Sequence, residues 1–411
     1  MSKKTKGINR REFMSRSVLG LGSVGFFGVS KEKAPLTENR RFIQKTKGEI
    51  IHRNLGKTGI RIPIVNMGVM NTLDAALVKK SYEIGVRHFD TAAWYMRGGN
   101  EKMLGETIKE LGVRDKVIIG TKVYVPHQQR GMSPDKAKEM YLRIAEESLK
   151  NLQTDCVDIL YSHNVTTLEW LNNPGIIEAL QQLKKQGKAR FIGFSVHTNI
   201  AECIGDAIRS GVFDVIETAY NYAMSDDQTL HDTFKKAVAK GIGLVAMKTQ
   251  CTQYWYRENV PSDKQSFYEG KIMHTAVLKW ALRNDFITTA IPGYTTFQQM
   301  EEDFSVARNL EFTEEEKKFL DDREIKLSLG YCRQCRKCQS TCPRGVDIPA
   351  LMRIHMYAVC YNNFNQARDA LDEICSGKGL KSCISCTTCS AMCANRIDIP
   401  RRMSELKAIY S

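Results

Sequence analysis

The sequence predicts an α/β protein, a (β/α)8 barrel of the TIM type followed by a small, cysteine-rich α-helical domain at the C-terminus. Two observations carry this. Between Ile51 and about Asp322, eight short β-branched runs alternate with longer helical stretches, the order that winds a parallel sheet. Beyond them, eight of the 13 cysteines stand in two copies of C-x2-C-x2-C-x3-C. A chain of 411 residues has room for two or three domains and a large core.

Composition is that of a soluble globular protein, with 42% hydrophobic and 26% charged residues. The formal charge of +14 is unevenly placed: +8 falls in residues 1–50, +7 in residues 326–411 and −1 between them. A barrel near neutrality argues against nucleic acid as its partner. Thiolates at a metal site would offset much of the C-terminal excess, so an acidic redox partner is compatible with the charge but not needed to explain it.

In chain order, residues 1–30 carry Lys3, Lys4 and Lys6, then Asn9-Arg10-Arg11-Glu12-Phe13-Met14, then the glycine-rich apolar run VLGLGSVGFFGVS. That run is too short to span a membrane. The segment resembles a twin-arginine export signal. The resemblance implies passage through the Tat translocase in folded form, to the periplasm or the outer face of the cytoplasmic membrane. A basic disordered tail on a cytoplasmic protein is the alternative; fractionating cells after changing Arg10 and Arg11 to Lys decides between them. Residues 31–50 are polar and without periodicity, and read as a linker.

Residues 51–325 are the expected barrel. Its strands are RIPIVNMGV, HFDTAA, VIIGTKV, VDILYSH, ARFIGFSVH, DVIETAYN, GLVAMK and TTAIPG. Helical stretches between them include TLDAALVKKSYEIG, KAKEMYLRIAEESLKNL, PGIIEALQQLKKQG and DQTLHDTFKKAVAKG, several ending at a Gly suited to a helix C-cap. A doubly wound sheet competes, but no G-x-G-x-x-G opens the first βα unit.

In such barrels chemistry sits at the C-terminal ends of the strands. Four polar residues stand there: Asp90 and Tyr95 in FDTAAWY, Lys122 in GTKV and His163 in LYSH. With NEKMLGETI, GFS at the fifth strand and IPG at the eighth, residues 51–322 resemble the aldo-keto reductase family. The resemblance implies that these four are its catalytic tetrad, exchanging hydride between a nicotinamide cofactor and a small carbonyl or alcohol substrate. The residue types suit that reaction. Tyr95 would protonate the alkoxide oxygen, Lys122 would lower the phenol's pKa from its usual ~10, Asp90 would anchor Lys122, and His163 would orient the carbonyl.

The family's cofactor contacts carry over to Ser195, Glu217, Lys248, Gly293, Thr295 and Gln299, with departures. Glu217 stands in place of a Gln, and Val196 after Ser195 in place of an Asn. Met247 takes the position of an aromatic ring, and Asp303 that of an Asn. Gly293 and Gln299 occupy positions where many NADPH-using members have Lys and Arg. NAD(P)H is therefore the expected cofactor without an implied preference for NADP, and Lys248 is the alternative phosphate contact. Trp94 is expected to line the substrate pocket. The run Tyr254, Trp255, Tyr256 after the seventh strand reads as a substrate lid or a docking wall.

Residues 326–411 hold the cysteine motifs. Three Cys at i, i+3 and i+6 can wrap one face of a 4Fe-4S cluster, and in two-cluster proteins the fourth commonly ligates the other cluster. The expected sets are Cys332, Cys335, Cys338 and Cys393 for one cluster, and Cys383, Cys386, Cys389 and Cys342 for the second. Zinc sites favour paired C-x2-C instead. PRGVDIPALM after Cys342 matches ANRIDIPRRM after Cys393 at an offset of 51 positions, an internal duplication. Between the motifs, Pro349 opens one expected helix through ALMRIHMYAVCYNNFNQARDALDEI, so the unit resembles the helical ferredoxin domain of succinate dehydrogenase iron-sulfur subunits. Cys360 and Cys375 read as buried packing residues, and Cys156, Cys203 and Cys251 as inert ones.

Overall fold

The computed structural model describes residues 48–250, 271–322, 330–384, 386 and 388–410. The export-signal segment, most of the linker, Cys251, the Tyr254 to Tyr256 run and the junction around residues 325 and 326 lie outside them. Thr46–Ser411 form one compact unit.

The chain enters through a hairpin. Strand β1 (His52–Asn54) pairs antiparallel with β2 (Arg61–Pro63). The turn between them carries Gly56 at φ 55° and Gly59 at φ 74°. Gly56 is needed twice over, because a Cβ there would lie 2.4 Å from the Gly241 carbonyl oxygen. Leu55, Ile60 and Ile62 are buried and pack with Ile159, Tyr161, Val215, Val245, Met247 and Ile291. Lys57 N–H donates to the Gly241 carbonyl just before the seventh barrel strand, so the hairpin plugs the end of the barrel where the strands begin. Each such buried Leu or Ile contributes about 1.5–3 kcal/mol.

Eight parallel strands follow in chain order: β3 (Met67–Gly68), β4 (His88–Asp90), β5 (Ile118–Val123), β6 (Val157–Val165), β7 (Ala189–Val196), β8 (Val215–Ala219), β9 (Gly243–Met247) and β10 (Thr289–Ala290). The sheet closes on itself through a Val65–Ala290 bridge, with Asn66 N–H donating to the Ala290 carbonyl at 2.8 Å and Ala290 N–H to the Ile64 carbonyl at 2.8 Å. The stretch RIPIVNMGV, expected as a single strand, is two. Arg61–Pro63 pairs with the hairpin and only Met67–Gly68 pairs with β4.

The helices between strands are the expected amphipathic ones, with identifiable caps. Helix α1 (Ala75–Ile84) starts where Asp74 accepts from Ala76 N–H and stops at Gly85. Helix α2 (Gly99–Leu111) ends at Gly112 in the left-handed region, φ 63°. Helices α3 (Pro134–Leu152), α4 (Pro174–Lys185), α5 (Ile200–Ser210) and α6 (Gln228–Ala239) follow in turn, then α7 (Lys271–Arg283), α8 (Phe297–Ser305) and α9 (Glu314–Asp321).

In the C-terminal region the duplication is visible in the backbone. Asp347 caps α10 (Ile348–His355) by accepting from Ala350 N–H at 3.2 Å, and Asp398 caps α12 (Ile399–Tyr410) by accepting from Arg401 N–H at 3.0 Å. Gly345 and Arg396, one repeat apart, are both left-handed at φ 61° and 59°. The long helix expected after Pro349 does not run through. It widens into a π-turn over Met356–Cys360, breaks at Asn362 with φ 51°, and restarts as α11 (Phe364–Asp372) with Asn363 as its cap. Cys375 is exposed and Cys360 only half buried. The expectation of a packing thiol fails for Cys375, which lies beyond the helix end, whereas Cys360 is half buried and packs against the core at the end of the π-turn.

This region docks on the end of the barrel where the strands finish. Arg97 pairs with Asp369 at 2.7 Å and Arg333 with Asp226 at 3.1 Å. Asn363 Nδ2 donates to Asn71 Oδ1 at 3.2 Å, and the Tyr124 hydroxyl donates to the Glu373 carboxylate.

Candidate active site

Strand register brings the four tetrad residues together. Asp90 ends β4 opposite Gly120, and Lys122 sits two residues further along β5, opposite Tyr161 of β6. Gly120 makes the room: a Cβ there would stand 2.9 Å from the His88 ring and 3.1 Å from Asp90 Oδ2. Tyr95 opens a tight turn in which Met96 and Arg97 are left-handed at φ 49° and 53°. Asn100 fixes this turn, donating to the carbonyls of Val69 at 2.8 Å and Thr72 at 2.7 Å and accepting from Thr91 Oγ1 at 3.0 Å. His163 is aimed by a bulge in β6, where register slips between Ser162 and Val165 and Asn164 is left-handed at φ 54°.

Lys122 Nζ is wholly buried. It donates to Asp90 Oδ1 and to the Thr91 carbonyl at 2.9 Å, stands 3.1 Å from Glu217 Oε2, and lies 5.4 Å from the centre of the Tyr95 ring. The His163 ring meets the Tyr95 ring edge-on at 5.6 Å. Tyr124 meets His163 at 5.3 Å, and Trp94 stacks on Tyr124 at 4.6 Å.

Burial dominates the electrostatics. It drives the His163 imidazole well below its usual pKa, with Lys122 adding to the effect, so His163 is neutral and can donate a hydrogen bond without carrying charge. Burial raises the Tyr95 phenol, Lys122 opposes that rise, and Glu217 and Asp90 reinforce it. The cation acts in the expected direction, but the expected net lowering is overturned, since desolvation in the closed barrel outweighs it. Burial works against the Lys122 ammonium, yet Asp90 and Glu217 hold it above its ordinary value. Glu217 is pushed up to about 8, first by burial and then by Asp90.

Above the tetrad lies a cavity of about 510 Å³, in the range that takes small ligands and cofactors. Asp90, Tyr95, Glu217, Lys248, Gly293, Thr295 and Gln299 are among its walls. Gln299 Oε1 accepts from the Thr295 N–H at 2.9 Å. Asp303 also lines it, pushed up to about 8 by burial, and bonds Gln250. Ser195 is not among these walls; its Oγ accepts from Asn164 N–H at 2.8 Å and so holds the bulge that aims His163. Lys248, left-handed at φ 59°, places its ammonium 5.4 Å from the Tyr357 ring and 5.2 Å from the Tyr361 ring. Cys360, Tyr361 and Asn362 of the C-terminal region close the cavity's rim.

Sequence reasoning missed these last contributors. The break is marked locally by Asn362-Asn363, since Asn suits both a left-handed position and a helix N-cap, but that it brings these residues to the cavity depends on contacts far apart in the chain. Tyr124 was within reach, two residues beyond Lys122 at the same strand end.

The eight motif cysteines sort by proximity. Cys332 feels the Cys393 and Cys338 thiols, and Cys338 feels Cys393 and Cys335. Cys383 feels Cys342, Cys386 and Cys389. Asn395 N–H donates to Cys393 Sγ at 3.3 Å and its side-chain amide reaches Cys335 Sγ at 3.9 Å. Thr341 and the 390s segment are tied together, with Met392 N–H donating to Thr341 Oγ1 at 3.0 Å. Across the two motifs Cys393 neighbours Cys332 and Cys338, and Cys342 neighbours Cys383, a pairing compatible with iron-sulfur ligation, although among the described residues no three of these thiols converge on one metal position.

Comparison with known proteins agrees with both regions. Residues 67–265 match the aldo/keto reductase family, and residues 306–398 match the 4Fe-4S dicluster domain. L-galactose dehydrogenase of Arabidopsis thaliana is 29% identical over 288 residues, covering 63% of this chain and 88% of that one. L-glyceraldehyde 3-phosphate reductase of Escherichia coli K12 is 24% identical over 336 residues, covering 68% and 95%. Among solved structures, an aldo-keto reductase from Bacillus halodurans in its holo form superposes with a TM-score of 0.53 at 21% identity, over 66% of this chain and 95% of its own.

Proposed function

With an aldo/keto reductase domain and a 4Fe-4S dicluster domain in one oxidoreductase chain, we propose that the barrel transfers hydride between a nicotinamide cofactor and a small carbonyl or alcohol. In this reading the C-terminal region exchanges single electrons through two 4Fe-4S clusters. The observation that carries it is the convergence of Lys122, Asp90, Tyr95 and His163 beside one cavity.

The bound nicotinamide would supply or accept the hydride. The chain's own residues do the rest. As carbonyl carbon gains hydride, negative charge collects on its oxygen, and the Tyr95 hydroxyl gives up its proton there. The tyrosinate left behind is stabilised by Lys122, which Asp90 and the Thr91 carbonyl hold in place. Neutral His163 donates toward the same oxygen. Oxidation of an alcohol runs these steps in reverse. A buried Tyr95 with a raised pKa is the acid of the resting state; substrate and cofactor displace water beside it, and its proton moves only as the alkoxide forms.

Lys248, Gly293, Thr295 and Gln299 would hold the dinucleotide. The wall they belong to also carries Glu302, and Gly293 and Gln299 bring no cation to it, which disfavours a 2′-phosphate and supports NADH over NADPH. The clusters, when bound, supply one-electron chemistry. The set of Cys332, Cys335, Cys338 and Cys393 is the one nearer the barrel, since Cys332 and Arg402 share a small cavity with His197 from just past the end of β7.

The test is transfer of deuterium from NADH deuterated at both C4 positions to an aldehyde by the cluster-loaded protein, read by mass spectrometry of the alcohol. Label in the product is the expected result. An alcohol formed with no label contradicts direct hydride transfer.

A further inference from the structure

Asp90 and Glu217 place two carboxyls around one ammonium in the barrel interior. Lys122, Asp90 and Glu217 side chains are 0%, 3% and 2% exposed. Asp90 reaches Lys122 through Oδ1, while Asp90 Oδ2 has no donor among the described residues. Glu217 Oε2 lies 3.1 Å from the same Nζ without hydrogen-bond geometry. With all three ionised, this buried group would carry a net negative charge, which is costly. Two carboxyls gathered around one ammonium can bond each other only if one holds a proton.

We propose that Glu217 stays a carboxylic acid and donates its proton to Asp90, so that the site keeps one stored proton whose loss sets the alkaline limit of Tyr95 as an acid. The first half rests on the burial of Lys122 and the two carboxyls around it and on Asp90 Oδ2 and Glu217 Oε2 both lacking a donor among the described residues; the second rests on the hydride-transfer reading above. Glu217 is a positioning residue here, acting on Tyr95 through Lys122 and Asp90.

The charged and titratable groups around Glu217 are Asp90 and His88 from β4, Tyr95 from the following turn, Lys122 from β5, Tyr161 from β6 and Lys248 after β9. Lys122 stabilises the Glu217 anion, but burial and Asp90 outweigh it and bring its pKa to about 8. His88 and Tyr161 are buried and neutral. Below that value the Lys122, Asp90 and Glu217 group is neutral overall. Above it, Glu217 releases its proton toward the cavity, the group becomes anionic, and Tyr95 becomes a still weaker acid. Carbonyl reduction therefore slows as pH rises through about 8, by about tenfold per pH unit for a one-proton limb. Gln at this position, neutral at every pH, removes that limb.

The decisive readout is infrared spectroscopy of the holoprotein labelled with 13C-glutamate, where a protonated side-chain carbonyl gives a band of its own. Wild type at pH 7 should show a label-shifted carboxylic acid band that bleaches near pH 8, and E217Q should lack it. Glu373 is held near 7 and Glu101 is also raised, so the same spectrum in an E101Q/E373Q background assigns the remaining band without relying on E217Q folding. Asp303 is protonated in the same range, but the glutamate label leaves it unshifted. No labelled acid band at pH 7 in that background overturns the stored proton. A band that vanishes in E217Q while the alkaline limb stays unchanged overturns only its link to Tyr95.

Discussion

Replacing Tyr95 by Phe is expected to lower kcat for carbonyl reduction by ~100–10,000-fold, the usual worth of a positioned proton donor. The ring of Tyr95 is buried and packs edge-on against His163, so Phe keeps the packing and removes only the hydroxyl. Among the described residues no hydrogen bond ties Tyr95 to the cysteine motifs, and iron content and the cluster absorbance should be unchanged. Binding of the dinucleotide should be retained within a few-fold, since the lost interaction develops with the alkoxide. Equal turnover in Y95F and wild type would remove Tyr95 as the acid and leave Lys122 or bound water as the proton source.

The second large effect concerns the exchanged cysteines. Cys393→Ala is expected to abolish the same cluster as Cys332→Ala, even though 61 positions separate them, while Cys342→Ala abolishes the one lost in Cys383→Ala. Electron paramagnetic resonance of the reduced variants reads which signal disappears, and each variant should lose about half of the iron. The structural support is the grouping of Cys393 with Cys332, Cys338 and Cys335, and of Cys342 with the Cys383 motif. Loss of the Cys383-type signal in Cys393→Ala would show that each motif holds its own cluster.

Much of this was legible in the sequence because the signals are local. A polar residue at the end of a β-branched run is enough to place Asp90, Lys122 and His163, and Tyr95 follows at a fixed distance. The match of PRGVDIPALM to ANRIDIPRRM reads as an internal duplication, and the structure shows its two copies starting helices in the same way, capped by Asp347 and Asp398. What stayed hidden depends on residues far apart in the chain. Glu217 reads from sequence as a cofactor contact standing in for a Gln. Only the closed barrel puts it 3.1 Å from Lys122 and beside Asp90. Ser195 reads the same way, yet it anchors the bulge behind His163. The entry hairpin was merged with the first barrel strand, because Arg61–Pro63 and Met67–Gly68 are equally apolar around Ile64 and Val65 and pairing alone separates them. The helix expected after Pro349 reads through Asn362-Asn363, a pair suited to ending one helix and capping the next, and its break there is what lets Cys360, Tyr361 and Asn362 reach the cavity.

That break gives the C-terminal region a place in the active site. Tyr357 and Tyr361 flank the Lys248 ammonium, and burial lowers its pKa to about 8. The cavity is thus walled on one side by Cys360, Tyr361 and Asn362, residues of the region that would carry the clusters.

The central claim is that the nicotinamide site and the clusters exchange electrons. The direct measurement is an anaerobic absorbance titration of the cluster-loaded protein with NADH and then NADPH, following the broad thiolate-to-iron band. The account predicts bleaching by NADH at lower concentration than by NADPH. Tight dinucleotide binding with no bleaching would contradict it, and would leave the barrel and the clusters as separate functions in one chain.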